Sequence, residues 1–225
     1  MSNKNYIYNW ELNKNKLIKN HCYDEGQEHS SCGVGLISSI SGKASRKVVE
    51  MGIQALKVLY HRGAVDADGK TGDGAGIQLD IPYEFFREKI ERAGHKTNNL
   101  PFAVGMVFLP RTNFEAQERS RIIIESEIIK GGFKIYGWRH VPINIKIIGE
   151  KAKATLPEIE QVLIGNNIYK DKLELDNKLY LIRKRIEKKI NQENINNFYI
   201  CSLSSQSIIY KGMFLAEQLS NFYPD

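Results

Sequence analysis

His29-Ser30-Ser31-Cys32-Gly33-Val34-Gly35-Leu36-Ile37 sets a thiol between a polar leader and an apolar run. The run from Gly33 to Ile40 reads as a short buried strand. A cut at Ser31–Cys32 would make that cysteine carry both a thiol and a free α-amine. An α-amine titrates at about 7.7–8.0, far below a lysine, so at neutral pH it can take the proton from a thiol of about 8.5. In the uncut chain the same nitrogen is an amide and no base. Thiolate is the attacking form, and an N-terminal amine is a recognised base for activating a nucleophile. Cys32 is therefore the candidate nucleophile and residues 1–31 the candidate propeptide. The competing reading of the cysteine taken alone is a small buried side chain entering an apolar strand.

Two segments downstream bear on that choice, Tyr60-His61-Arg62-Gly63-Ala64 and Thr71-Gly72-Asp73-Gly74-Ala75-Gly76-Ile77. Later come Leu179-Tyr180-x-Ile182-Arg183-Lys184-Arg185 and Ser202-Leu203-Ser204-Ser205, then Tyr210-Lys211-Gly212-Met213. Taken in this order with Cys-Gly-Val-Gly, they resemble the class II glutamine amidotransferase domain, most closely the N-terminal glutaminase domain of the glutamate synthase large subunits. Several motifs in the right order are far more specific than any one of them. The long leader separates this chain from the resembling glucosamine-phosphate and asparagine synthetases, in which the cysteine follows the initiator methionine. Some phosphoribosyl-pyrophosphate amidotransferases also carry a propeptide and stay as an alternative, although the spacer Ala64–Thr71 favours glutamate synthase.

The resemblance implies an α+β chain of the Ntn-hydrolase type, a four-layer αββα sandwich. It also implies that Arg62 and Gly63 belong to a loop lying against the nucleophile, with the planar fork of the arginine fixing Cys32. The plain reading of the same pair is a helix end, with a cation in the last turn and Gly63 in the left-handed position. Gly69-Lys70-Thr71 is not the end of a P-loop. The required glycine five residues earlier is Ala64, and the order is helix, loop, strand. The glycines read instead as a turn with positive φ that allows close backbone approach to the cysteine.

A chain of 225 residues with 42% hydrophobic content is long enough for one domain with a full core. No apolar run reaches the length of a membrane span. The three cysteines, Cys22, Cys32 and Cys201, lack paired spacing, so neither a disulfide framework nor a zinc site is indicated. His21, Cys22, His29 and Cys32 match no zinc spacing. The expected compartment is the cytoplasm. The leader lacks the apolar core of a secretory signal and the arginine-rich, acid-poor character of a transit peptide. The net charge of +6 does not argue for nucleic acid, because Glu187 interrupts the basic run 183–189 and no aromatics interleave with it.

Periodicity predicts a helix over 45–60, a strand over 76–81 stopped by Pro82, a helix over 83–93 and a buried strand over 102–109. Thr112-x-x-Glu115 reads as a capping box opening a helix over 113–130 that Gly131-Gly132 closes. Strands are expected over 133–138 and 143–148, a short helix over 157–164, a strand over 178–182 running into a basic helix over 183–190, and a hairpin of 198–203 with 207–211.

In the resembling domains an Arg-Phe-Ser-Thr motif, an Asn-Gly oxyanion pair and an aspartate for the substrate amine follow the Tyr-Lys-Gly-Met segment. This sequence reaches Phe222-Tyr223-Pro224-Asp225 without them. Residues 32–225 are accordingly expected to be a partial amidotransferase domain, incomplete at its C-terminus and weak as a glutaminase alone. The FMN and iron–sulfur groups implied for the parent enzyme are expected outside this chain, which itself is expected to hold no cofactor or metal. The implied partners are glutamine, the remainder of a glutamate synthase large subunit and its small subunit, with neither nucleic acid nor a membrane among them. A non-catalytic subunit retaining the fold is the other alternative.

Overall fold

The computed structural model describes residues 3–20 and 33–224. The chain divides into two units, residues 1–33 and 34–225. In the first, α1 (Asn3–Asn20) carries exposed Tyr6, Tyr8 and Trp10. Among the described residues no helix is long and apolar enough to cross a membrane.

The second unit is built on two antiparallel sheets. The larger has the order β3 (Lys134–His140), β4 (Glu158–Gly165), β2 (Ala103–Leu109), β5 (Tyr199–Ser204). The smaller pairs β1 (Ala75–Asp80) with β6 (Ser207–Gly212), Ala75 facing Gly212 and Asp80 facing Ser207. Side chains alternate across a strand, so β2 and β4 feed two cores. Ala103, Val107 and Leu109 of β2, with Val162 and Ile164 of β4, face α4 (Phe114–Lys130) and α6 (Lys172–Gln192). Val104, Met106 and Leu163 point the other way and pack with Ile208 of β6 and with Ile77 and Leu79 of β1. A polar link crosses the same gap, where Gln161 donates to the Tyr210 hydroxyl at 3.1 Å and accepts from Arg139 at 2.9 Å. Outside the small sheet lies α2 (Arg46–Val58), whose Gly52 lies beneath Ile77. The layers are helix, sheet, sheet, helix, as the sandwich reading expected.

The helical layer is fixed by apolar spacing and by charge. Leu175, Leu179, Ile182, Ile186 and Ile190 recur at three- and four-residue steps along one face of α6, and all are buried. Lys189 of α6 meets Glu127 of α4 at 2.5 Å, and that ammonium is the largest influence holding the Glu127 carboxyl below its usual range. Arg121 of α4 grips Glu160 of β4 with two nitrogens at 2.8 and 2.6 Å, a paired geometry that satisfies a nearly buried carboxylate.

Several sequence expectations are corrected. Residues 33–39 form no strand, and Val34, Leu36 and Ile40 are exposed; no described strand hydrogen-bonds to them, and an extended segment is not a strand without a partner. Residues 157–164 are not a helix but β4, the strand between β3 and β2, where β-branched Ile159, Val162 and Ile164 fit a surface buried on both faces. Residues 178–182 are not a strand but the middle of α6. Residues 143–148 turn rather than extend: the Asn144 side chain accepts from Lys146 N, and Asn144 N donates to Phe222 O. The N-cap of α4 is Asn113, not Thr112, its side chain accepting from Ala116 N at 3.0 Å.

The expected hairpin of 198–203 with 207–211 is two strands in different sheets. Its turn is tied to α6 through Asp176, which accepts from the Ser204 hydroxyl, Ser205 N and the Gln206 amide. Helix α2 matches its expected span, continuing as a 3-10 turn over Leu59–Arg62, but none of its residues is fully buried and only Leu56 reaches the inter-sheet core.

The packing of α6 makes a direct test. Leu179→Ala removes a fully buried side chain and is expected to cost about 2–5 kcal/mol of unfolding free energy. Leu181→Ala, two residues on and half exposed, is expected to change it by less than about 0.5 kcal/mol in the same denaturant titration.

Candidate active site

The 3-10 turn Leu59–Arg62 delivers the chain into Gly63, and a narrow hairpin follows. Val65 and Gly72 form an antiparallel bridge, Asp66 N donates to Thr71 O at 2.9 Å, and Asp73 N donates to Ala64 O at 3.2 Å. The hairpin brings the His-Arg-Gly turn beside the Gly-Asp-Gly-Ala-Gly segment. A β-carbon added at Gly63 would lie 3.5 Å from the Asp73 carboxylate. Gly63 itself has φ −96° and ψ 141°, so the left-handed cap expected there is corrected to extended backbone.

Two glycines of the second motif have separate steric reasons. A β-carbon on Gly72 would lie 2.6 Å from the Phe214 carbonyl group, so only a hydrogen fits against the backbone that follows β6. Gly74 has φ +126°, a conformation closed to L side chains, and it turns the hairpin into β1. The expected positive φ is thus found at Gly74, and Gly72 approaches the Phe214 backbone. Any approach to Cys32 lies outside the described residues, as do Cys32 itself, the Ser31–Cys32 junction and the group His21, Cys22 and His29.

The tip of the hairpin is latched on both sides. Asp68 accepts from Lys70 N at 2.9 Å, Thr71 N at 2.7 Å and the Thr71 hydroxyl at 2.6 Å. Those bonds, led by the Thr71 hydroxyl, lower its carboxyl to about 2. Lys151 of α5 (Glu150–Ala154) meets Asp66 at 2.6 Å. Gln218 spans three segments, donating to Lys70 O and Ile147 O and accepting from Leu215 N. The spacer that sequence reading used only to tell families apart is thus held in place by Asp66, Asp68 and Gln218. Sequence reading missed all three, although Asp68-x-x-Thr71 carried a local signal, because an aspartate shortly before a threonine favours such a side-chain turn. Gln218 carries no comparable local signal.

Arg62 ends the 3-10 turn and Gly63 follows, so the pair opens the hairpin. Of the cysteines, Cys201 lies buried between the sheets. Burial is the main cause raising its thiol to about 11, and its Sγ donates to Ile209 O at 3.5 Å. A thiol so placed is a core side chain rather than a nucleophile. Among the described residues no cluster of three or more His, Cys, Asp or Glu side chains is arranged to hold a metal.

The sequence pattern of the family described as “Glutamine amidotransferases class-II” matches residues 32–225. The chain is 56% identical over 222 residues to the glutamate synthase (NADPH) large chain of Azospirillum brasilense, covering 98% of this chain and 14% of that protein. It is 40% identical over 206 residues to the glutamate synthase (NADPH) large chain of Bacillus subtilis, covering 88% of this chain and 13% of the relative. It is 38% identical over 201 residues to the chloroplastic ferredoxin-dependent glutamate synthase 2 of Arabidopsis thaliana, again 88% of this chain and 12% of the relative. The chain therefore spans a small fraction of the relatives it matches. With a family match that opens on Cys32 and the two-sheet architecture behind it, the chain belongs to the class II glutamine amidotransferases, whose domain has the Ntn-hydrolase fold.

Proposed function

We propose that residues 32–225 are the nucleophile-bearing part of the glutaminase domain of a glutamate synthase, matured by removal of residues 1–31. One observation carries the reading: the family match starts on a cysteine preceded by a 31-residue leader. In the proposed cycle the Cys32 α-amine takes the thiol proton, and the sulfur attacks the side-chain amide carbon of glutamine. The carbon–nitrogen bond breaks, the amine returns the proton to the leaving nitrogen as ammonia is released, and a glutamyl thioester remains. Water then hydrolyses the thioester to glutamate and frees the thiol.

Arg62 and Gly63 support the nucleophile in this reading, and the Asp68 latch holds the hairpin that carries them. The ammonia passes to 2-oxoglutarate at a remote site of the complete enzyme. The oxyanion donors and substrate clamps come from sequence other than these 225 residues. Loss of one oxyanion donor commonly costs about 2.7–4 kcal/mol of transition-state stabilisation. The FMN and iron–sulfur groups implied for the parent enzyme are placed, in this proposal, outside this chain. A cluster held by four thiolates needs more cysteines than the three present. Those groups, the small subunit and a cytoplasmic setting belong to the proposal for the whole enzyme, and no step here runs through them.

Intact-mass analysis of this chain produced within a complete amidotransferase domain is expected to find Cys32 as the first residue. An active enzyme still starting at Met1 defeats the α-amine mechanism. In that mature enzyme Cys32→Ala is expected to abolish glutamine-dependent glutamate formation and spare ammonia-dependent activity, whereas Cys201→Ala spares both. Labelling of Cys201 by a glutamine-like electrophile, with Cys32 untouched, contradicts the assignment. The 225-residue chain alone is expected to release little ammonia from glutamine, and turnover matching an intact domain overturns the partial-site reading.

The Asp68 latch has a pH signature. Its carboxyl is lowered from 3.8 to about 2 in the fold. The stabilisation it gives is fully present above its unfolded pKa and is lost as pH falls from about 4 through about 2. A carboxyl-carbon NMR titration is expected to find the midpoint near the lower value. Asp68→Ala is expected to lower kcat/KM of the mature enzyme by about tenfold or more through misplacement of the hairpin, and to lower the unfolding midpoint at neutral pH by an amount that vanishes near pH 2.

A further inference from the structure

At the far end of β1, about 20 Å along the strand from the Gly74 turn, the surface opens into a cleft of 580 Å³ between α3 (Tyr83–Arg92), the segment 97–102 and the start of α6. Its walls carry Arg87, Lys170 and Lys172, and no acidic residue lines it. The acids nearby are committed or remote. Asp171 caps α6 by accepting from Glu174 N, and Asp176 holds the 204–206 turn. Glu84 lies 3.8 Å from Arg87 but is 97% exposed, so it neutralises little. Among the described residues neither Lys170 nor Lys172 meets a carboxylate; the Lys172 ammonium sits 4.5 Å over the Tyr83 ring. Burial raises the Tyr83 phenol to about 12, so it adds no negative charge.

The walls are fixed rather than loose. Asn166, 1% exposed, donates to Pro101 O and Tyr169 O and accepts from Ile168 N and Tyr169 N, which uses all its hydrogen-bonding capacity to join the loop bearing Lys170 to the floor at Pro101. Asn98 adds a second clamp, donating to Asn166 O and to the Asn167 side chain. The Asn99 amide lines the cleft. Three exposed cations borne on this frame, with no acid among the lining residues, give the cleft a positive potential that favours an anion. A singly charged carboxylate leaves most of that charge uncompensated, whereas a phosphate chain offers an oxygen pair to the arginine fork and further oxygens to the lysines as point charges. The volume falls within the range of small-ligand sites.

We propose that this cleft binds a small molecule carrying a di- or triphosphate, at a position remote from the hairpin of Arg62, Gly63 and Asp68. The proposal does not depend on the glutaminase reading.

Calorimetric titration of the full 225-residue chain in low-salt, magnesium-free buffer tests it with pyrophosphate, ATP and adenosine. Pyrophosphate and ATP are expected to bind saturably at one site, with dissociation constants below about 1 mM that weaken as salt rises. Adenosine is expected not to bind. If ATP binds more tightly than pyrophosphate, the nucleoside also contacts the cleft; if they bind equally, the phosphate chain is recognised alone. Lys170→Gln with Lys172→Gln is expected to weaken both at least about tenfold, consistent with loss of two charge-assisted contacts. Lys47→Gln with Lys57→Gln, which removes the same charge from α2, is expected to leave binding unchanged. These side chains are exposed, and near-ultraviolet circular dichroism verifies the fold of each variant. Absence of saturable pyrophosphate and ATP binding, equal weakening in the α2 control, or adenosine binding as tightly as ATP overturns the proposal.

Discussion

Everything in the second unit depends on β2 and β4 being buried on both faces. Each strand must supply apolar side chains in both directions, which is why Met106 and Val107, neighbours in sequence, belong to different cores. One core accepts the helices α4 and α6. The other accepts β1 and β6, and through them the loops at the Gly74 end. Polar groups are admitted between these layers only with partners: Glu160 with Arg121, Gln161 with Tyr210 and Arg139. Among the described residues no buried side-chain nitrogen or oxygen lacks a hydrogen bond, as the cost of leaving one unmade requires.

The same double burial explains where sequence reading failed. Around β4 the apolar residues form a short continuous run, and such a run fits a buried helix segment or a buried strand equally. At α6 the error ran the other way. Leu179 to Ile182 looked like an apolar strand because the window was too short, while the repeat from Leu175 to Ile190 identifies one helix. β1, β2, α3 and the end of α4 were legible because Pro82, Pro110 and Gly131-Gly132 punctuate them. The strand expected after Gly33 failed for a different reason. Its residues are apolar, yet Val34, Leu36 and Ile40 are exposed, because burial and pairing are long-range properties that no local pattern contains.

The site was legible as motifs and not as a structure. Gly63 and Asp73 were recognisable separately, yet their proximity depends on the intervening hairpin. That hairpin is held by Lys151 and Gln218, both remote in sequence, and its glycine contact is with Phe214. Long-range side-chain bonds of this sort leave no periodic trace. Asp68 differs in that the groups donating to it lie within three residues, a local signal that could have been read.

The pairing of β1 with β6 joins segments from opposite ends of the unit, Ala75 with Gly212. A ribosome makes β1 early and β6 late, separated by all of α3, α4 and α6. At about 5–20 residues per second, the Gly72–Gly76 backbone emerges on the order of ten seconds before the strand against which it must lie. During synthesis the helical layer can condense on β2 and β4 while the small sheet does not yet exist. The hairpin between Gly63 and Gly74 is consequently among the last features to be fixed, and a nascent chain halted before β6 exposes β1 on both edges.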